Sequence, residues 1–520
     1  MQTYSTKELS FGNFIRFVFR ETQNRLLLLI TVVGTIAQFV VFKYFYPFPD
    51  FSTDSYSYIH AASQHLTINI WPIGYSRFLA LFHQFTHSAF ALIAFQYFFL
   101  VLSEVYFFFS MHYFYRFKRS IRNILFIFLF FNPLPVYLSN YIGSDTIFLT
   151  LSLLWFTELL WIINKPGIVH VFAQAILIFF CFAVRNNAYY YPIIASLAFI
   201  LTRQKLRFKL AGIVSTVILI LPFVIYTRNE AFKLTGTRQF SLFTGWQLAN
   251  NALYIYEKID VDSNIFKSEA CRELERMNIR FFKHSDSWGR HRNELSANEG
   301  NFFIQYINSP LKAFKRVHYP ADLSERSHIA TWGKASAVFE EYGTTVIKHH
   351  PFAFARYYML LNAKNYFLPP LEKLAIYNRA MDSMEIEAQD WFDYKTPNLE
   401  VVSVDLQQKI FFIYPTLFLL INLYFLACLA WFITRKIYRE PSLVINSTII
   451  LASALLFINF GFSVFATINV FRYQVFPMVI CTGYLLLLAE RIYAKESSKE
   501  RTITTKVNPG LMHKPFKFLR

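Results

Sequence analysis

The sequence predicts an all-α polytopic membrane protein with about ten transmembrane helices and a mainly helical extracytoplasmic domain. Three observations carry this. Of 520 residues, 55% are hydrophobic and only 16% are charged, where an average soluble domain is about 25% charged. Apolar runs of roughly 20 residues recur, each long enough to cross about 30 Å of hydrocarbon. Basic clusters fall on alternate connections between those runs, which is the positive-inside pattern.

In order, spans are expected near residues 26–46, 89–111, 123–138, 146–163, 168–184, 188–201, 210–227, 410–433, 443–467 and 475–490. The first run is too long for the apolar core of a signal peptide and no A-x-A-like site follows it, so it reads as a retained span. The basic residues Arg16, Arg20 and Arg25, the stretches "YRFKRSIR" (115–122), "TRQKLRFK" (202–209) and "RKIYR" (435–439), Lys165, and the tail from Arg491 mark the cytoplasmic side. Both termini are then cytoplasmic, as in a bacterial inner-membrane protein. The connections 47–88, 139–145, 185–187, 228–409 and 468–474 lie outside. The chain divides into an N-terminal module 1–227 with first outer loop 47–88, an extracytoplasmic domain 228–409, C-terminal spans 410–490 and a basic tail 491–520. The tail is expected to be disordered and to rest on anionic lipid.

The net charge of +18 does not indicate nucleic acid, because it sits in short loops and no nucleic-acid motif is present. The four cysteines include Cys181, Cys428 and Cys481 inside apolar runs, with no CxxC, so neither a disulfide framework nor a thiolate metal site is indicated. Most of the 61 Phe and 32 Tyr serve as lipid-facing bulk and interfacial belts.

The first outer loop splits into two helical pieces. Ser52 or Thr53 can cap a helix starting at Asp54. Pro72 suits the first turn of a second, "WPIGYSRFLALFHQF", whose apolar residues can lie on the membrane surface or the bundle. An acid in a first helical turn is stabilised as the anion by the dipole, so Asp54 suits a base or an acceptor better than a general acid; a plain N-cap explains the same residue equally well. Other polar groups share this face: Asp145 in "NPLPVYLSNYIGSDTIF", Arg185 with Asn186 and Asn187 in "FAVRNNAYYYP", Arg472 and Tyr473 in "NVFRYQVFP", and Arg228 and Arg238 past the seventh span. Singly, each reads as a cap or a snorkelling anchor. Together, at span ends in apolar sequence, they are functional candidates.

These segments resemble the C-type (GT-C) membrane glycosyltransferases, nearest to the protein mannosyltransferase and lipid A aminoarabinose transferase branch. The resemblance lies in "STDSYSYIHAASQHL" with "WPIGYSRFLALFH" after it, "NPLPVYLSNYIGSDTIFLTLSLLWF" and "AVRNNAYYYPIIA", and covers about residues 10–230 with the late Arg-Tyr turn. It implies transfer of a sugar from a polyprenyl-phosphate donor to a glycan, glycolipid or protein acceptor of the cell envelope. It implies Asp54 as catalytic base, with Asp145 binding the acceptor or orienting that base. Arg185 and Arg472 would hold the lipid phosphate, with Arg228 and Arg238 as further cations and Asp50, Tyr58, Asn187 and Tyr473 as substrate contacts. Here Asp54 is followed by Ser55 where a common form of the motif has Asp-Glu. That leaves Asp50 or Asp54 as the catalytic acid, and alignment with the Tyr58 helix start favours Asp54.

No cofactor is implied with certainty. A divalent metal stays an open alternative, resting on His83/His87 at i,i+4 and on His349/His350, without an HExxH-like pattern. The alternatives to a glycosyltransferase are a lipid-linked polysaccharide polymerase or ligase, a polytopic lipid or solute transporter, and a receptor scaffold. A transporter favours charged or broken positions at the midplane of two matching halves; here the ionisable groups gather at one interface.

Overall fold

The computed structural model describes residues 10–283, 301–322, 325–439 and 443–507. Among the described residues there is no strand, only the isolated bridges Asp50–Tyr141 and Ser383–Asn398. Eight helical stretches are long and apolar enough to cross a membrane. The protein is therefore an all-α polytopic integral membrane protein.

An amphipathic helix α1 (Phe11–Arg20) leads into the first span α2 (Thr22–Phe45). The first loop forms α3 (Thr53–Ser63) and α4 (Gly74–His83). Then come α5 (Ala89–Tyr115), α6 (Arg119–Phe130), α7 (Leu134–Ser139) and α8 (Ser144–Asn164). The third span is thus two pieces, α6 and α7, parted at Asn132-Pro133. α8 is the central helix and almost wholly buried. α9 (Ile168–Val184), α10 (Tyr191–Leu201), α11 (Leu206–Ile218) and α12 (Ile220–Thr235) complete the N-terminal half. The remaining spans are Leu406–Thr434, Val444–Ala466 and Phe471–Ser497.

Two expected spans fall short of the bilayer. α9 has 17 residues and α10 only 11; the latter rises about 16 Å, half the hydrocarbon thickness. A 3₁₀ turn at Asn186–Tyr190 replaces the first turns of α10, and Pro192 fixes where its α geometry starts. The apolar run reads through the turn because Ala188, Tyr189 and Tyr190 sit in it. α10 is held by burial: Tyr191 stacks on Trp155 at 4.1 Å and its hydroxyl donates to Ser152 Oγ at 2.8 Å. The tail expectation also changes. The last helix, Val475–Val507, continues through residues 491–507, where seven of the residues are the helix-favouring Glu, Lys and Arg; the rest of the tail lies outside the described residues.

The polar stretch after α12 has two destinations. One part builds its own core around Trp246, Phe339 and Tyr342, joined by Ile68 of the first loop. There α13 (Thr244–Leu253) lies so close to the helix Glu325–His349 that a Cβ on Gly245 would fall 1.8 Å from the Ser336 carbonyl oxygen. The other part, including Leu374, Tyr377, Trp391 and Leu399, packs into the core of the membrane bundle. That second part crosses over the first loop and forms the site.

Candidate functional site

Four chain segments meet at one end of the bundle: the start of α3, the start of α8, the turn after α9 and the turn before the last span. The local sequence explains each. α3 starts at Thr53 behind Ser52, one residue earlier than expected, and the Ser52 N–H donates to Ser55 Oγ at 2.9 Å. This puts Asp54 in the first turn. Gly143, extended, precedes α8 and leaves Asp145 in its first turn. α9 ends at Val184, and Arg185 is extended. Pro72 lies two residues ahead of α4 rather than in its first turn, and the helix starts at Gly74. A Cβ there would sit 2.5 Å from the Ala183 carbonyl oxygen and 3.0 Å from Val184 N, so only glycine lets α4 rest on the chain leading to Arg185. Gly74→Ala is expected to lower stability by about 1–3 kcal/mol, read as the melting temperature in detergent; an unchanged melting temperature would contradict this close approach.

Asp145 is the centre of the ion-paired cluster. One carboxylate oxygen takes Arg185 and the other takes Arg472 Nη1 at 2.9 Å. Arg472 Nε also meets Glu372 Oε2 at 2.9 Å, and its Nη2 donates to Tyr473 Oη at 3.0 Å. The Arg185 guanidinium lies over the Tyr473 ring at 5.0 Å. Asp54 Oδ2 meets Lys373 Nζ at 2.5 Å. Tyr58 Oη is 3.1 Å from Ser144 Oγ, beside Asp145. Burial alone would raise the Asp54 carboxyl, but the Lys373 ammonium and the Arg472 guanidinium outweigh it and hold the carboxyl below its ordinary range.

Asp50 has a different setting. It is 2% exposed, its Oδ1 accepts the Asn378 N–H at 3.1 Å, and its backbone bridges to Asn140 and Ile142. Burial pushes its carboxyl well above the ordinary range. The Asp54 side chain, by contrast, is 28% exposed.

Lys373 and Glu372 are the residues that sequence reasoning missed. They lie on a strap, "PPLEKLAIYNRA" (369–380), laid across α3. The Tyr377 hydroxyl donates to the Pro49 carbonyl at 2.9 Å, and Arg379 Nη1 donates to Thr53 Oγ1 at 3.2 Å. Glu372, Asn378, Arg379 and Ala380 all have φ between 46° and 61°, left-handed backbone that non-glycine residues seldom adopt. Such strain persists only where surrounding structure holds it and gathers at functional sites. The signal available in the sequence was Pro369-Pro370 followed at once by an acid–base pair.

Of the expected site residues, Asp54, Tyr58, Asp145, Arg185, Arg472 and Tyr473 come together. Asn187 lies in the 3₁₀ turn after Arg185, where its neighbour Asn186 donates from Nδ2 to Ser241 Oγ at 3.2 Å. Asn186 also lines a small cleft of about 20 Å³ with Asn69, Trp71, Pro72, Phe223 and Phe240. Arg228 and Arg238 do not join. α12 runs on to Thr235, leaving Arg228 exposed on it, and exposed Arg238 covers the Phe232 ring at 5.5 Å.

The histidines are engaged otherwise. His83 stacks between His87 and Trp391 at 3.9 and 3.8 Å, and His87 Nδ1 is 2.6 Å from Asp393 Oδ2. Among the described residues no group of three His, Cys, Asp or Glu side chains is placed to hold a metal ion.

Fold and site together define a polytopic integral membrane protein with a six-charge cluster at one end of its bundle. Comparison of the chain with protein-family models, curated proteins and solved structures finds no match.

Proposed function

We propose that this protein is an integral membrane glycosyltransferase. It moves a sugar from a polyprenyl-phosphate donor to an envelope acceptor on the extracytoplasmic face. The observation that carries the reading is the pairing of two unlike acids. Asp54 is ionised and partly exposed, while Asp145 is clasped by two arginines. A glycosidase needs two carboxylates because its leaving alkoxide must be protonated. A phosphate leaves as a stable anion, so one base and a set of cations suffice. In the reaction the acceptor hydroxyl gives its proton to Asp54 and its oxygen bonds to the anomeric carbon. The bond from that carbon to the phosphate oxygen breaks, and the phosphate keeps the electron pair beside Arg185 and Arg472.

At rest the cluster is balanced, with Asp54, Asp145 and Glu372 against Lys373, Arg185 and Arg472. A phosphate therefore has to displace a carboxylate. Glu372 is the one to leave, because it is the most exposed of the three and sits on the strained strap. Glu372→Gln removes this internal competitor and is expected to lower KM for the donor by up to about tenfold, the scale of one charged hydrogen bond. An unchanged or higher KM would count against the displacement.

The reaction itself is tested with purified protein, a radiolabelled polyprenyl-phosphate sugar and envelope extract. Asp54-dependent release of free polyprenyl phosphate supports transfer. Movement of intact lipid without bond cleavage would replace this reading with transport.

A further inference from the structure

Residues 351–368 belong by sequence to the polar stretch, yet they lie along a membrane span. A helix opens at Pro351–Phe354, passes through a π turn at Ala355–Met359 and continues as Leu360–Phe367. Asn362 Nδ2 donates to the carbonyls of Ser463, Val464 and Thr467 at 3.2, 2.9 and 2.6 Å. These close the C-terminal end of the span Val444–Ala466, whose last carbonyls have no partner within the helix. The Phe354 ring meets Phe465 at 5.8 Å. Further along, Tyr366 and Phe367 meet Phe460 at 5.0 and 5.8 Å, and Asn459 Nδ2 donates to Tyr366 Oη at 3.0 Å. Phe460 lies about 9 Å inside the end of the span, at 1.5 Å per residue. The segment therefore descends beside the span, within its apolar length.

Its opposite face is bare. Phe352 is 88% exposed and Leu360 is 68% exposed, with Tyr357, Leu361 and Leu368 also open. Arg356 and Lys364 stand on the same face. Large apolar side chains interleaved with cations, on a helix packed along the end of a span, match the chemistry of the bilayer interface: rings and aliphatic groups among acyl chains, cationic heads among phosphates.

We propose that residues 351–368 are an interfacial membrane helix whose partner is lipid. Phe352, Leu360 and Leu361 contact acyl chains, and Arg356 and Lys364 reach headgroup phosphates. This inference is independent of the reaction proposed above, but it bears on the site. The chain runs from this helix through Pro369-Pro370 directly into the Glu372–Lys373 strap, and the Pro370 carbonyl accepts the Phe471 N–H at 2.9 Å at the start of the last span. The bilayer thus fixes both ends of the approach to Lys373.

The test uses the full chain in liposomes of phosphatidylethanolamine and phosphatidylglycerol. Phe352→Cys and Leu360→Cys are each labelled with an environment-sensitive fluorophore. Glu269→Cys, on the separate polar core and 63% exposed, is the comparison site, and the unsubstituted protein gives the background of its four cysteines. Both probed side chains are on the surface, and variants are compared at matched melting temperature. The expected result is blue-shifted emission at 352 and 360, quenched by brominated lipid and protected from iodide, with the reverse at 269. Iodide quenching at 352 and 360 without an effect of brominated lipid would overturn the proposal and mark the face as water-exposed or as a surface for another protein.

Discussion

Replacing Asp54 by asparagine lowers sugar transfer by about 10²–10⁴-fold, the usual worth of a positioned base, while the protein stays folded in the membrane. The substitution keeps the size of the side chain and the Ser52–Ser55 start of α3. It removes the carboxylate proposed to accept the acceptor's proton and, with it, the charge that pairs with Lys373. The pH profile adds a second readout. Burial works to raise the Asp54 carboxyl, but Lys373 and Arg472 together hold it below its ordinary value. A depressed pKa means the base form is present above about pH 4 and is lost only as the pH falls through the lowered value. The acid limb of kcat/KM in the unsubstituted protein is therefore expected below about pH 4. Lys373→Met leaves burial less opposed, so the limb moves upward. Near-normal transfer by the Asp54→Asn protein would remove Asp54 from the chemistry. An acid limb that stays put in Lys373→Met would separate the lysine from the base.

Much of this site could be read before any coordinates. Asp54 follows an apolar run at a capping position, Asp145 follows Gly143 at a helix start, and Arg185 and Arg472 are lone cations between apolar segments. In each case the oddity is local, an ionisable group where hydrocarbon ends. Lys373 has no such local oddity. It lies in a stretch where charge is common, 319 residues from its partner, and only the fold of the strap brings it to Asp54. Arg228 and Arg238 show the opposite failure. Nearness to a span end in sequence placed them by the site, but α12 continues past the expected boundary and turns them away. The split between Asp50 and Asp54 also needed the fold. Both follow the same span, and burial under the strap at Asn378 separates them. The 3₁₀ turn before α10 was hidden because hydropathy measures side chains, whereas the turn is a property of the backbone. The helix at 351–368 could be read from its apolar spacing between Pro351 and Pro369-Pro370, but its place beside a span could not, because its apolar face is too short to register as a span.

Loss of Asp145 should act on stability as well as turnover, which sets it apart from Asp54. Its carboxylate is 13% exposed and is shared by two guanidiniums. Breaking a buried ion pair from one side typically costs about 3–5 kcal/mol, because the remaining charge is left without a partner. Asp145→Ala takes a partner from two cations at once; Arg472 keeps Glu372 and Tyr473, while Arg185, among the described residues, is left with the rings of Phe148 and Tyr473. Arg185 is therefore the residue most harmed. The double variant Asp145→Ala/Arg185→Leu removes that stranded charge with its partner and is expected to recover part of the loss. Coupling of this kind is what a double-mutant cycle measures between groups in contact. Denaturant unfolding in detergent gives the four stabilities. A single variant within about 0.5 kcal/mol of the parent, or a double variant whose loss is the plain sum of the singles, would mean that the cluster is solvated and that Asp145 does not organise it. Recovery of stability without recovery of transfer would place the Asp145–Arg185 pair in the reaction and not only in the fold, since the fold would then be intact with both charges absent.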